Sequence, residues 1–310
     1  MNRVKQLPNG VWPTMITPFT ENNEIDYASL GKLIDWYIER GVDGLFAVCQ
    51  SSEMFKLSLE ERVALAAFTV ERSAGRVPVI ASGHISDAME DQIYELQAIS
   101  KTGIAALVLI TNRLASEDES DEVLKNRLEE LLQHLPKELP LGFYECPAPY
   151  KRLMTPELLR WCADTGRFQF LKDTSCDVEE IRAKVEAVSG TGLKLYNANS
   201  ATLLETLKLG AAGYSGVMAN FHPELYVWLV KNFQQFPAEA QLLSDQLSLA
   251  SFIERQVYPV NAKYHMMLEQ VSSNYLSRTR DASQFHATNR LEVEQLHRLA
   301  KHWRSQFPGV

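Results

Sequence analysis

Two residues at the ends of apolar runs can do chemistry that their neighbours cannot. Lys172 closes the run FQFLK, residues 168–172, and Tyr144 lies in LGFYE, residues 141–145. A free lysine, with a pKa of about 10.4, is neutral in roughly one molecule in a few thousand at pH 7. Burial beside Phe168, Phe170 and Leu171 disfavours the ammonium form and lowers that value. A neutral lysine amine adds to a carbonyl carbon and forms a Schiff base. The iminium is an electron sink, so a C–C bond beta to it can break or form. The reaction also needs a proton shuttle near the carbinolamine, and a phenol hydroxyl one run away suits that task. The residues alone leave other readings open. Lys172 can snorkel to solvent or pair with the adjacent Asp173, and Tyr144 can be a core aromatic with a satisfied hydroxyl.

The elements that must position such a pair are legible as eight short apolar runs. They are GVWPTMI (10–16), GLFAVC (44–49), VPVIAS (77–82), AALVLI (105–110), LGFYE, FQFLK, LKLYN (193–197) and GYSGV (213–217). None alternates apolar with polar residues, so they read as strands covered on both faces. Between them lie helical patterns. Leu30, Leu33, Ile34, Tyr37 and Ile38 follow a helical rhythm that stops at Gly41. Ser58 with Glu61 forms a capping box, and Asp87 with Glu90 and Asp177 with Glu180 repeat the logic. Thr155-Pro156 is an N-cap followed by a first-turn proline. Eight strand–helix units predict a (β/α)8 TIM barrel over residues 1–234. After about residue 235 the strand signals stop, and residues 235–310 read as a C-terminal α-helical extension packed on the barrel or on a partner subunit.

In such a barrel the chemistry lies at the carboxyl ends of the strands. Those ends carry Thr17, the segment Gln50-Ser51-Ser52-Glu53, Gly83, Thr111, Tyr144, Lys172, Asn197 and Asn199, and Ser215. This is a polar ring with one amine and one phenol. Asn197 and Asn199 are more often turn residues, and Cys146 and Cys176 read as inert fillers.

Composition narrows the function. Over 310 residues, 45% are hydrophobic and 23% charged, as in a soluble globular protein. A net charge of −8 argues against a nucleic-acid partner. No apolar run is long enough to cross a bilayer. The opening MNRVKQLPNG lacks the apolar core of a signal peptide. The four cysteines form no CxxC pair, which suits a cytoplasmic chain with free thiols. The seven histidines show no metal-ligand spacing, so no metal is expected.

At this point the chain resembles the dihydrodipicolinate synthase / N-acetylneuraminate lyase family over almost its full length. The likeness rests on PTMITPFTENNEIDYASLGKLIDWYIERGVDGLF, SSEMFKLSLEER, FYECPAP, FLKDTS and LLETLKLGAAGYSGVMANFHPEL. The resemblance implies that Lys172 is the Schiff-base residue and Tyr144 the general acid/base tyrosine. It also implies a homotetramer or homodimer, pyruvate or another 2-oxo acid as the imine-forming substrate, and no cofactor, because the imine is itself the electron sink. The family's GTTGE segment reads Cys49-Gln50-Ser51-Ser52-Glu53 here, so Gln50 and Ser51 take the places that hold the keto-acid carboxylate. A relay tyrosine that the synthases bring across the subunit interface falls on Leu114. The arginine that they place two residues after the motif proline falls on Pro149, with Lys151 and Arg152 slightly beyond. A bidentate arginine suits an amino-acid carboxylate, whereas the amides of Gln50, Asn197 and Asn199 suit hydroxyl groups. The expectation is therefore a class I aldolase or lyase acting on a 2-oxo-3-deoxy sugar acid. Dihydrodipicolinate synthase activity is the alternative, and a non-catalytic barrel that keeps only the fold is the third reading.

Overall fold

The computed structural model describes residues 6–307, so the expectation for the first ten residues falls partly outside them. Eight parallel strands form one curled sheet: β1 Gly10–Val11, β2 Leu45–Phe46, β3 Val79–Ala81, β4 Ala106–Ile110, β5 Leu141–Tyr144, β6 Phe168–Asp173, β7 Lys194–Asn197 and β8 Gly213–Tyr214. The ladder runs β1-β8-β7-β6-β5-β4-β3-β2. A parallel bridge between Thr14 and Phe46 brings the two ends together. The expected (β/α)8 barrel is what forms, with each run covered on both faces.

The helices follow their signals with one exception. Helix α1 (Tyr27–Glu39) is capped by Asp26, whose side chain accepts from Ser29 N, and buries Leu30, Leu33, Ile34 and Tyr37. Helix α2 (Leu59–Ser73) starts with the Ser58/Glu61 capping box. Helix α3 (Met89–Ser100) begins after Ala88, not Asp87. Asp87 instead pairs with Arg113, at 2.5 Å, so the capping expectation there is corrected: an ion pair claims the carboxylate. The short α4 (Thr111–Leu114) and α5 (Asp121–His134) precede β5. Then α6 (Pro156–Asp164) opens on Thr155-Pro156, and α7 (Val178–Val188) is capped by Asp177. Next come α8 (Leu203–Lys208) and α9 (Pro223–Asn232). Beyond β8 no strand occurs among the described residues; α10 (Pro237–Ala250), α11 (Val260–Leu268) and α12 (Ala287–Arg304) complete the chain. Their apolar faces share one continuous core with the barrel, through Leu243, Leu247, Ala262, Leu296 and Ala300.

The barrel floor is aromatic. Phe170 stacks on Tyr196 (4.4 Å between centroids) and meets Trp12 and Phe46 edge-on at 5.5 and 6.1 Å. Such pairs each contribute about 0.5–1.5 kcal/mol beyond their buried area. Gly142 makes room for this layer, because a Cβ there would lie 2.9 Å from Phe170. An irregularity in the β5–β6 register, Leu141 opposite Phe168 but Gly142 opposite Phe170, turns Phe168 outward onto Phe143, where the rings stack at 4.5 Å. Phe170 and Lys172 are thereby left on the inner face together.

Candidate active site

Strand alternation sorts the end of the barrel. Tyr144 and Lys172 are register partners on β5 and β6, and both point inward. The Lys172 ammonium nitrogen lies 4.3 Å from the centre of the Tyr144 ring. Both residues are buried. Burial lowers the Lys172 pKa, against the opposing pull of Cys49, Cys146 and Glu254. Burial likewise raises the Tyr144 phenol well above its ordinary value, which keeps its hydroxyl protonated. A lysine held toward neutrality next to a phenol has the chemistry of an imine-forming site.

The residues that follow them, Glu145 and Asp173, point the other way. Both are fully buried against Lys184 of α7, whose Nζ lies 2.7 Å from Glu145 Oε1 and 2.5 Å from Asp173 Oδ2. Glu145 also accepts from the backbone N–H groups of Met154 and Thr174. Asp173 accepts from the N–H and hydroxyl of Ser175. Burial, aided by Asp173, raises the Glu145 carboxyl against the pull of Lys184. This triad pins the carboxyl ends of β5 and β6 from outside the barrel. It also removes the simplest alternative for Lys172, since Asp173 is paired elsewhere.

The loop after β2 is a tight 3-10 turn, Gln50–Ser52, closed by Ser52 Oγ, which accepts from Cys49 N and donates to Cys49 O. Gln50 Oε1 accepts from the Tyr144 hydroxyl at 3.4 Å, and Cys146 Sγ lies 3.6 Å from the same oxygen. Cys146 is therefore a neighbour of the site, beyond the filler expected of it. Ser51 Oγ donates to Thr14 Oγ1 at 3.2 Å. Thr17 is spent on Ser52 O. The buried Ser215 Oγ has no hydrogen-bond partner among the described residues.

Asn197 and Asn199 stand differently. The Asn197 amide donates to Thr202 and Thr206 and its carbonyl accepts from Asn199 N. Asn199 Oδ1 accepts from Thr202 N. The Asn197 amide is fully engaged in the turn after β7, and the Asn199 side-chain oxygen is held by the same turn. Leu114 is buried in α4 and offers no hydroxyl. Neither candidate for the missing arginine is free: Arg152 pairs with Asp121 at 2.7 Å, and Lys151 Nζ donates to Thr174 O.

Two residues of the site come from the C-terminal region, where the sequence carries no local signal for them. Tyr258 accepts a hydrogen bond from Asn220 Nδ2 at 3.2 Å and faces the Ser51 side chain. Glu254 lies in the 3-10 turn Ser251–Arg255, within electrostatic reach of Lys172. Glu53 ties this region down: it pairs with Lys263 and accepts from Ser277 Oγ, Arg278 N and both the N–H and hydroxyl of Thr279.

Among the described residues, one group has ligand atoms close enough for a metal: His265, Glu269 and His297, within 4.8 Å of one another. Glu269 is already engaged by Trp36 and Arg40. No helix among the described residues is long and apolar enough to cross a membrane.

Comparison with known proteins agrees with this fold. The 4-hydroxy-tetrahydrodipicolinate synthase of Shewanella putrefaciens is 27% identical over 263 residues, covering 84% of this chain and 87% of its own. That of Thermoanaerobacter pseudethanolicus is 27% identical over 261 residues, covering 82% and 84%. Among solved structures, a monomeric dihydrodipicolinate synthase variant superposes with a TM-score of 0.86 at 19% identity, over 96% of this chain and 98% of that one. YagE, a prophage protein of Escherichia coli K12 solved with pyruvate, gives 0.83 at 24% identity over 96% and 98%. The family model described as the dihydrodipicolinate synthetase family matches residues 7–300. The chain belongs to that family, whose members are lyases of the Schiff-base aldolase type.

Proposed function

We propose that Lys172 forms a Schiff base with pyruvate or another 2-oxo acid, and that Tyr144 shuttles the protons of carbinolamine formation and collapse. The observation that carries this reading is a buried lysine over a phenol ring at adjoining strand ends, with the neighbouring acid withdrawn onto Lys184. Gln50, Ser51 and Ser215 are read as the groups that hold the 2-oxo acid. The imine serves as electron sink, so no metal or organic cofactor takes part. We place the enzyme in the cytoplasm as a homo-oligomer. Borohydride reduction in the presence of pyruvate is expected to fix a covalent adduct on the peptide containing Lys172. An unmodified Lys172, with activity retained in Lys172→Ala, overturns the reading.

For the second substrate the site and the relatives point to different molecules. Pro149 offers no donor, and Arg152 and Lys151 are engaged, which favours a hydroxylated 2-oxo-3-deoxy sugar acid over a second carboxylate. The names of the relatives favour the other reading, condensation of pyruvate with aspartate semialdehyde as by a 4-hydroxy-tetrahydrodipicolinate synthase, and the comparisons support it better than they support a sugar acid. One preparation decides between them. Condensation with the semialdehyde is followed beside pyruvate release from a panel of 2-oxo-3-deoxy sugar acids. Turnover of the semialdehyde alone returns the chain to the synthases, and turnover of a sugar acid alone removes it from them.

A further inference from the structure

We propose that His265, Glu269 and His297 form a structural metal site that takes zinc and fastens the last two helices to each other and to the barrel. The site stands apart from the chemistry at Lys172, and the inference does not rest on the Schiff-base reading. His265 and Glu269 stand four residues apart, on α11 and its C-terminal cap, so one helical turn presents both to the same side. His297 reaches them from α12. His297 Nδ1 lies 3.2 Å from His265 Nε2 and 3.2 Å from Glu269 Oε1. Ligand atoms of all three residues fall within 4.8 Å of one another. Tetrahedral zinc with ligands at about 2.0–2.1 Å has ligand–ligand edges of about 3.3–3.4 Å. Two edges of that figure therefore stand ready, and the third closes as the carboxylate swings in.

Hydrogen bonds alone serve this group poorly. A proton on His297 Nδ1 can go to His265 Nε2 or to Glu269 Oε1, whereas a cation engages all three lone pairs at once. Burial lowers the pKa of both histidines, so the neutral imidazole, the form that ligates, is their ordinary state. Glu269 is already oriented as a ligand. Trp36 Nε1, at 2.9 Å, and Arg40 both donate to its Oε2, which leaves Oε1 toward His297. Such outer partners fix the ligating atom. The His265 ring meets Trp36 edge-on at 6.3 Å and packs on Phe221 at 5.4 Å, which walls the group on its barrel side. Arg40 and Arg304 also pair with Glu224, at 3.6 and 2.9 Å, which offsets their charge. The same three residues line an open surface groove, which gives the ion a way in. Three protein ligands leave the fourth position to water. Helix α11 also carries Lys263, the partner of Glu53, so an ion that fixes α11 also steadies the loop after β2.

The test uses the full chain, stripped with a chelator and returned to zinc. Equilibrium dialysis with elemental analysis is expected to find about one zinc per chain. Calorimetry is expected to show a melting temperature about 4 °C higher at free zinc about a hundredfold above Kd. Cobalt(II) in place of zinc is expected to show the strong visible absorption of a four-coordinate ion. His297→Gln is expected to weaken zinc binding by about a hundredfold or more and to abolish the thermal shift. His302→Gln, exposed on the same helix, is expected to keep both. Should His297→Gln not fold, zinc X-ray absorption on the wild-type protein decides. Two imidazoles and a carboxylate at about 2.0–2.1 Å support the site, and a shell of oxygens alone overturns it. Absence of bound zinc and of any thermal shift in the wild type overturns it too, leaving a hydrogen-bonded cluster. So does zinc binding that survives unchanged in His297→Gln. None of these outcomes bears on Lys172, which borohydride trapping tests by itself.

Discussion

Replacing Lys184 by methionine tests whether the buried triad is what holds the strand ends that carry Tyr144 and Lys172. The change keeps the stem and deletes a charge that is fully buried and lies 2.5 and 2.7 Å from two carboxylates that are equally buried. Removing one partner of a buried pair leaves charge uncompensated and costs about 3–5 kcal/mol. For a chain of this length, unfolding entropy of roughly 2.1 cal/mol/K per residue converts that into a melting temperature lower by about 5–8 °C near pH 7.5. The pH dependence has a definite sign. Glu145, pushed up to about 7 in the folded chain, contributes stability that is fully present below its unfolded value and is lost as pH rises through the folded one. Without Lys184 that loss deepens, because nothing offsets the charge of Glu145 beside Asp173. The gap between variant and wild type should therefore narrow between pH 8 and pH 5, as protonation relieves the pair. Differential scanning calorimetry across that range measures it. A drop under about 2 °C that is the same at both ends would refute the assignment of Lys184 as the compensating charge.

Tyr144→Phe removes the hydroxyl and keeps the ring over Lys172; turnover should fall by about 10²–10⁴, the worth of a general acid/base, while slow borohydride trapping of pyruvate on Lys172 persists. Retained turnover moves the shuttle to another group. Glu53→Gln should cost about 3–5 kcal/mol, since it leaves Lys263 buried and unpaired, and should speed hydrogen exchange at the Arg278 and Thr279 amides. Burial alone would raise the Glu53 pKa, but Lys263 and the Thr279 and Ser277 hydroxyls outweigh it and hold it low. Its stabilisation is therefore present above the unfolded value and lost as pH falls through the folded one. The acid limb of the stability curve should flatten in the variant.

What could be seen in the sequence followed the range over which each residue's partner lies. The eight runs and the Ser58, Thr155 and Asp177 caps are set by neighbours a few residues away, and they stand as expected. Lys172 and Tyr144 were visible because a charged or polar group at the end of an apolar run needs a reason. That Asp173 faces outward also follows from strand alternation, yet its partner Lys184 sits eleven residues on, in a helix whose other face is solvated. Asp87 failed as a cap because Arg113, on another element, claims it. Asn197 and Asn199 show the converse: their partners, Thr202 and Thr206, were near enough in sequence for the turn reading to compete. Glu254, Tyr258 and the cluster of His265, Glu269 and His297 had no local signal, because what makes them notable is the packing of the last three helices on the barrel.

The position of Glu53 has a consequence for how the molecule comes into being. Its backbone is left-handed, with φ of 64°, a conformation that costs a non-glycine residue roughly 1 kcal/mol or more. Among the described residues its carboxylate is satisfied only by Lys263, Ser277, Arg278 and Thr279, which lie more than two hundred residues later. A ribosome therefore exposes the segment after β2 long before anything can fix it, and the barrel strands are all made while that loop still lacks its partners. The end of the barrel that carries Lys172 and Tyr144 is completed by residues 263–279, in the last sixth of the chain to emerge, so a nascent or C-terminally shortened polypeptide can carry Lys172 and Tyr144 on a finished sheet and still have no finished pocket.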